Sequence, residues 1–367
     1  MTDTQQDGRN LLGSWIDHAW SGYADAWTRA FALSEVWSAQ AGNAMALAAL
    51  ARLRADALVA HARRYSPFYA QHYRDAPQRA PFESLPVVKR SQLMKAFDDW
   101  ATDRAITHES VEAFLSSADN IGQDYLGRYA VWTSSGTCGQ RGIFLQPRNA
   151  MAVYDAELMA RAGPGPMLGA LLGAGGAGRL PAVLIAALEG HYAGVVTWRR
   201  LRAANPWWAP QMHAVSVMTP LDQMVASLNR IGPRFIAAYP SVLQSLAQEQ
   251  LQGRLRIAPV LLWSGGEAMP ACARALIESA FVCPLINDYA ASECMSIGFE
   301  CSQGSMHLNA DWVILEPVDQ QGQPVPDGQP SHTSLLTNLA NPIQPIIRYD
   351  LGDSITRHAQ ACACGCP

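Results

Sequence analysis

Residues 133–140 read "TSSGTCGQ", and six of those eight are Ser, Thr or Gly. A Gly-rich backbone can turn several N–H groups toward one anion, and neighbouring hydroxyls add donors, so the composition suits a phosphate. The stretch lacks the Lys of a P-loop, and it equally suits a polar hairpin turn between two strands. Three further polar stretches lie downstream. "WSGGEAMP" (263–270) offers two glycines for a tight turn or for close approach of a flat ligand. "NDYAASE" (287–293) offers Tyr289 to stack on a base and Glu293 to hold a hard cation such as Mg²⁺. "IIRYDLGD" (346–353) offers Asp353 to accept from a ribose diol. Taken singly, each also reads as an ordinary turn. A fifth group, Cys301, His307, Cys362 and Cys364, is a C-x₅-H plus a C-x-C. Those are four ligands of the type and number that close a tetrahedral zinc site, with Cys366 as a substitute and reduced thiols near a frayed terminus as the alternative.

Elements must bring these stretches together. The chain has 367 residues, 49% of them apolar and 16% charged, enough for a large core. Residues 11–72 read as helices, and in "NAMALAALARLRADALVAHARRY" (43–65) Leu47, Leu50, Leu53, Ala57 and Ala60 fall near the helical period. Pro67 ends that run, and "KRSQLMKAFDDW" (89–100) is a second helical patch. From about residue 125, buried strands ("PAVLIAAL", "HAVSVM", "RFIAAYP", "APVLLWSGG") alternate with helices at 219–232, 241–252 and 269–281. In the first of these helices Thr219 is the expected cap, with Pro220 in the first helical position. Strands separated by helices make a mainly parallel sheet, which binds ligands beyond its strand carboxyl ends. After 310, "WVILEPVD", "SLLTNLA", "IQPIIRYD" and "DSITR" read as short strands. The expected organisation is therefore a helical N-terminal cover (1–124), an α/β core (125–310) and a β subdomain (311–367).

Several classes are excluded or disfavoured. A net charge of −4 gives no case for nucleic acid, and the basic-aromatic "TWRRLRAANPWW" (197–208) reads as a solvated loop with buried Trp rings. The first ten residues are polar, with no signal-peptide core, and "AGPGPMLGALLGAGGAG" (162–178) is broken by Gly and Pro, so it reads as a flexible loop and not a membrane span. A cytoplasmic protein is expected, and its eight Cys argue against a disulfide framework there.

The order and spacing of "SSGTCGQR", "SGGEA", "YAASE" and "RYDLGD" say more than any one of them. Together with "RRYSPFY", "LPVVKRSQLMKAFDDW" and "TNLANPIQPIIRYDLGD", they make the chain resemble the adenylate-forming superfamily, in its phenylacetate–CoA ligase-like branch, over almost its whole length. The resemblance implies that family's α/β catalytic core and ATP-dependent activation of a carboxylic acid, giving an acyl-adenylate and pyrophosphate. It implies that Ser134, Ser135, Gly136, Thr137 and Gly139 hold the phosphates and that Glu293 carries Mg²⁺. It further implies that Tyr289 stacks on adenine, that Gly266, Glu267, Asp288 and Ser292 line the nucleotide pocket, and that Asp353 fixes the ribose. His191, Tyr192, Gly265 and Ala290 would line a pocket for a flat aromatic acid, and the zinc ligands have counterparts in related ligases.

This sequence departs from the family at several points. The usual T-G-K-P of the phosphate loop reads Cys138-Gly139-Gln140-Arg141, which removes one positive charge, and Ala290 and Leu351 replace the family's Gly and hydroxyl residue. The chain stops at "CACGCP", where family members continue into a mobile domain with a catalytic Lys. The resemblance is then to short stand-alone members, one of which serves phenazine antibiotic biosynthesis. The expectation is adenylation of an aromatic acid such as a phenazine carboxylate, with the product passed to a reductase or another acyl acceptor, and a homodimer by family habit. The alternatives are a truncated aryl-CoA ligase and a non-catalytic module that binds nucleotide or acyl-adenylate.

Overall fold

The computed structural model describes residues 26–134, 141–161 and 180–366. Strands β1 (Tyr129–Thr133) and β2 (Ile143–Pro147) pair antiparallel, with Thr133 opposite Ile143. Residues 135–140, which include Ser135, Gly136, Thr137 and Gly139, lie outside the described residues, as does the Gly-rich 162–178.

The apolar runs beyond 180 become strands β3 (Ala182–Ala186), β4 (Met212–Ser216), β5 (Phe235–Ala238) and β6 (Leu261–Ser264). Helices Ala193–Ala204, Leu221–Ile231 and Pro240–Leu251 return the chain between them, and Ala271–Phe281 leads to β7 (Leu285–Ala291). Crossovers of that kind force parallel pairing. Strands β8 (Cys294–Glu300) and β9 (Met306–Leu308) complete a seven-stranded sheet in the order β4-β3-β5-β6-β7-β8-β9. Its β7–β8 and β8–β9 pairs are antiparallel, so the sheet is parallel only as far as β7. Along β3, Val183 and Ile185 enter one core with Leu228, Leu243, Leu246 and Ile277, while Ala182, Leu184 and Ala186 enter the other with Val195, Val196 and Trp198. A strand covered by helices on both faces is apolar throughout, as β3 is.

Strands β10 (Val313–Val318), β11 (Thr333–Asn338) and β12 (Ile346–Asp350) form a separate antiparallel sheet with β11 in the middle and fully buried. The N-terminal region reaches this sheet. Val88 N–H donates to Arg348 O (3.1 Å) and Asp350 N–H to Val88 O (2.9 Å), a short parallel bridge between Val88 and Tyr349.

The sheet-and-helix alternation agrees with the sequence reading, and the differences have local causes. In helix Ala44–Tyr65 the buried face is Leu47, Ala51, Ala55, Leu58 and Ala62, whereas Leu53 is 68% exposed and Ala57 and Ala60 are exposed. Small alanines let that helix pack closely, so the core side mixes Ala51, Ala55 and Ala62 with Leu47 and Leu58 and is not marked by leucine alone. Ser66 closes it, and its side chain accepts from Tyr69 N–H to open the next helix, with Pro67 in the first position. Pro220, not Thr219, is the residue preceding helix Leu221–Ile231. Residues 197–204 of the basic-aromatic patch are helical and not a loop, with Trp198 buried and Trp207 exposed. "DSITR" contributes only a bridge from Thr356 to Pro330. No described helix is long and apolar enough to cross a membrane.

Candidate functional site

Strand β6 ends at Ser264, and the next two residues must turn sharply. Gly266 adopts φ +80°, which favours glycine, and a Cβ on Gly265 would lie 2.4 Å from Asp288 Oδ1. Asp288 sits on the neighbouring strand β7, where burial pushes its carboxyl up to about 7, against a hydrogen bond from the Trp263 indole. Ser264 and Asn287 are opposite one another on β6 and β7, and Ser264 Oγ and Asn287 Oδ1 are buried polar atoms with no partner among the described residues. Such atoms at a strand's carboxyl end are available to a ligand. Glu267, in the same bend, is exposed and accepts from Ser241 N–H (3.2 Å) at the start of helix Pro240–Leu251.

The stretch read as a loop, "NDYAASE", is mostly strand. Tyr289 and Ala290 lie in β7 at a register shift, and Ser292 and Glu293 form the β7–β8 turn. Tyr289 O–H donates to Asp353 Oδ2 (2.7 Å), spanning the gap between the large sheet and the end of β12. Asp353 is exposed, and Tyr289, Ala290 and Ser292 are half-buried. Trp132 of β1 donates from Nε1 to Ser292 O (2.7 Å), tying the strand that enters the 135–140 segment to the same turn. Ser134 Oγ accepts from Gly142 N–H (2.8 Å), which extends the β1–β2 pairing. Arg141 pairs with Glu112.

Glu293 is 2% exposed. Its Oε1 accepts from Arg90 Nη2 (3.0 Å) and from Tyr349 O–H (2.6 Å), and Arg90 Nε also donates to Tyr349 Oη (3.0 Å). Burial and the adjacent Glu293 carboxylate raise the Tyr349 phenol above its ordinary range, so it stays a donor. Both bonds fall on Oε1, and Oε2 accepts none from the described residues. Asn338 Nδ2 donates to Glu293 O (3.0 Å) and fixes the backbone of the turn.

His191 stands apart. It is 4% exposed, with Nε2 3.3 Å from Ser117 O and Phe114 alongside, and burial lowers its pKa. It is a buried imidazole whose Nδ1 has no partner among the described residues. Tyr192 is half-buried at the start of helix Ala193–Ala204, its ring over Gly190, where a Cβ would lie 3.2 Å from the ring.

The cysteine group does assemble. Cys301 Sγ and Cys362 Sγ are 3.7 Å apart, Cys364 Sγ and His307 Nε2 3.3 Å apart, and all four ligand atoms lie within 4.8 Å of one another. Tetrahedral zinc with bonds of about 2.0–2.3 Å separates its ligands by roughly 3.3–3.8 Å, so the donor set fits that ion. Cys366 stays outside the group, its N–H donating to Cys364 Sγ.

Of the residues singled out from the sequence, the fold brings Tyr289, Glu293 and Asp353 to the β7–β8 turn and gathers the cysteines with His307, and it adds Arg90, Tyr349, Trp132 and Asn338, which the sequence does not single out. Arg90 and Tyr349 stand inside the quoted stretches "VVKRSQ" and "RYDLGD", yet only the fold reveals that they meet.

No family model matches the chain. Among curated proteins, Protein CapK of Staphylococcus aureus is 25% identical over 162 residues, a match covering 44% of this chain and about a third (34%) of CapK's length. Among solved structures, 2-hydroxyisobutyryl-CoA ligase in an open conformation with 2-HIB-AMP and CoA is similar over 85% of this chain and 70% of that one (TM-score 0.59, 20% identity). The same ligase in its thioesterification state, again with 2-HIB-AMP and CoA, is similar over 89% of this chain and 66% of that one (TM-score 0.60, 22% identity). At such identities the likeness concerns architecture, and the fold of this chain is that of the adenylate-forming ligases.

Proposed function

We propose that the chain activates a carboxylic acid with ATP. The acid's carboxylate oxygen bonds to the α-phosphorus as the bond to the departing pyrophosphate breaks, leaving an acyl-adenylate. One observation carries this reading. Tyr289, Asp353, Glu293 and strand β1, which precedes 135–140, converge at the β7–β8 turn, joined by the Tyr289–Asp353 and Trp132–Ser292 hydrogen bonds. In this reading Tyr289 stacks on the base, Asp288 and the Gly265–Gly266 turn border it, and Asp353 takes the ribose hydroxyls in place of its bond to Tyr289. Ser134 and residues 135–140, with Thr137 among them, take the phosphates. The residues fit Mg²⁺ through Glu293 Oε2 alone, which suits an ion that takes one carboxylate and completes its shell with phosphate oxygens and water. The ion would supply charge neutralisation at the phosphates. This chain's residues supply alignment and exclusion of water at the buried turn.

The acid is a flat aromatic one, phenazine carboxylates among the candidates, on the side of Tyr192 and Gly190. An acyl acceptor, a thiol or a reductase, consumes the adenylate. Cys301, His307, Cys362 and Cys364 hold a structural zinc, supported by their spacing. A second reading, a binding module without turnover, is favoured by the commitment of Glu293 Oε1 to Arg90 and Tyr349.

ATP–pyrophosphate exchange against a panel of aromatic acids separates the two. Acid-dependent exchange that is lost in Glu293→Gln establishes adenylation. ATP binding without exchange for any acid of the panel favours the module, or a core that needs a further domain, over adenylation.

A further inference from the structure

We propose that Arg90 and Tyr349 are positioning residues that hold the Glu293 carboxylate so that only Oε2 is presented to a ligand. The inference rests on the adenylation reading. An ionised carboxylate 2% exposed needs a partner of opposite charge and satisfied hydrogen bonds. Here the partners form a closed ring. Arg90 Nη2 reaches Glu293 Oε1 at 3.0 Å, Arg90 Nε reaches Tyr349 Oη at 3.0 Å, and Tyr349 O–H completes the circuit to Oε1 at 2.6 Å. The rigid fork of a guanidinium can address both oxygens at once, whereas an ammonium is a point charge on a flexible stem. Because both bonds fall on Oε1, the carboxylate cannot rotate without breaking one of them.

The backbone locks the donors in turn. Val88 bridges to Tyr349, so Arg90 and Tyr349 issue from adjacent paired segments with a fixed register. Lys89 N–H donates to Gln92 Oε1 (2.8 Å), setting the start of helix Arg90–Lys95 and with it the direction from which Arg90 arrives. Asn338 holds the Glu293 carbonyl from the other side. The N-terminal region and the β10–β12 sheet thereby aim one carboxylate of the large sheet. Arg90 and Tyr349 need touch no substrate to matter.

A double-mutant cycle tests this. Arg90→Gln, Arg90→Lys and Tyr349→Phe are made alone and in a Glu293→Gln background. Each is read by acid-dependent exchange and by calorimetric binding of Mn²⁺·ATP, with thermal unfolding to confirm the fold. The expected result is a fall in exchange of roughly 10- to 100-fold for Arg90→Gln, in line with a misplaced catalytic group. Arg90→Lys should recover part of it, and Mn²⁺·ATP binding should weaken in parallel. In the Glu293→Gln background, where exchange is already lost, Arg90→Gln should change Mn²⁺·ATP binding by less than about threefold, because residues acting as a unit are not additive. Tyr349→Phe, which keeps the ring, carries the same cycle if Arg90→Gln does not fold. Equal factors in both backgrounds, with wild-type exchange intact, would overturn the positioning role alone. A wild type that neither binds nor exchanges ATP would overturn the adenylation reading and this inference together.

Discussion

Gly265 has no room for a side chain, because the Asp288 carboxyl occupies the space where one would start. Gly265→Ala should push Asp288 aside or open the β6–β7 ends, at a cost of about 1–3 kcal/mol. Urea unfolding and ATP affinity should both report it, and an unperturbed variant would mean the turn is loose. Asp288 carries a second expectation. Its carboxyl is pushed from an ordinary 3.8 up to about 7 by burial, so between those values the folded chain holds a proton that the unfolded chain has released. Stability from this group is complete below the unfolded value and is lost as pH rises through the folded one. Asp288→Asn removes the titration. Its stability should stay level from about pH 4 to about pH 8 relative to wild type, which loses up to roughly 4 kcal/mol over that span. Chemical unfolding across pH checks this, and parallel curves would show that Asp288 is not the group concerned. At this scale the sequence exposes residues whose type suggests a task, such as Tyr289 and Asp353. It hides Arg90, which is 203 positions from Glu293, because an ion pair between distant residues leaves no spacing to read.

Helix Arg148–Arg161 is fixed at its end by charge. Arg161, 5% exposed in its side chain, lies 2.7 Å from Asp311 Oδ1 and 3.6 Å from Glu157 Oε1, both 1% exposed, and donates to Asn309 Oδ1 at 2.8 Å. Burial first, and then the Asp311 charge, push the Glu157 carboxyl well up, with Arg161 opposing. Arg54 joins from helix Ala44–Tyr65, donating to Asp311 O (2.8 Å) with its guanidinium 3.4 Å over the Trp312 ring. Arg161→Met would leave two buried acids without their nearest cation, so a loss of about 3–5 kcal/mol is expected in urea unfolding. A loss under about 1 kcal/mol would mean that Arg54 and protonation of Glu157 suffice. The elements themselves were legible where composition is one-sided. Strands β3, β5 and β6 sit inside the apolar runs read from sequence, β3 because a strand buried on both faces needs nothing else, whereas edge strand β4 is only partly buried and begins one residue before its run, at Met212. The β7–β8–β9 meander was not legible, because "NDYAASE" is polar and small and reads as loop. Its strand character comes from pairing with β6 and β8, which only tertiary structure supplies.

Across the whole molecule, the last residues return to the far edge of the seven-stranded sheet. Cys362 and Cys364 meet Cys301 and His307, which the β8–β9 hairpin presents, His307 lying opposite Phe299 in register and stacked on it. Apart from the Thr356–Pro330 bridge and the hydrogen bonds around it, described residues 357–366 have no strand or helix of their own, so a metal would be their main attachment. Ligands that are 61 positions apart, as Cys301 and Cys362 are, close a long loop, and a bond that closes a long loop removes much freedom from the unfolded chain. The protein as isolated should hold about one zinc per chain by metal analysis. A strong chelator should lower the unfolding midpoint by a few degrees or more. It should also expose the chain after Thr356 to protease while the β3–β6 core remains resistant, and Cys301→Ser should reproduce both effects without chelator. The site also bears on the proposed chemistry. Asp353 and its bond to Tyr289 lie between this anchor and β12, so a released tail should weaken ATP binding as well as stability. Metal-free protein with an unchanged midpoint, unchanged proteolysis and unchanged ATP affinity would reduce the four residues to neighbouring thiols and an imidazole.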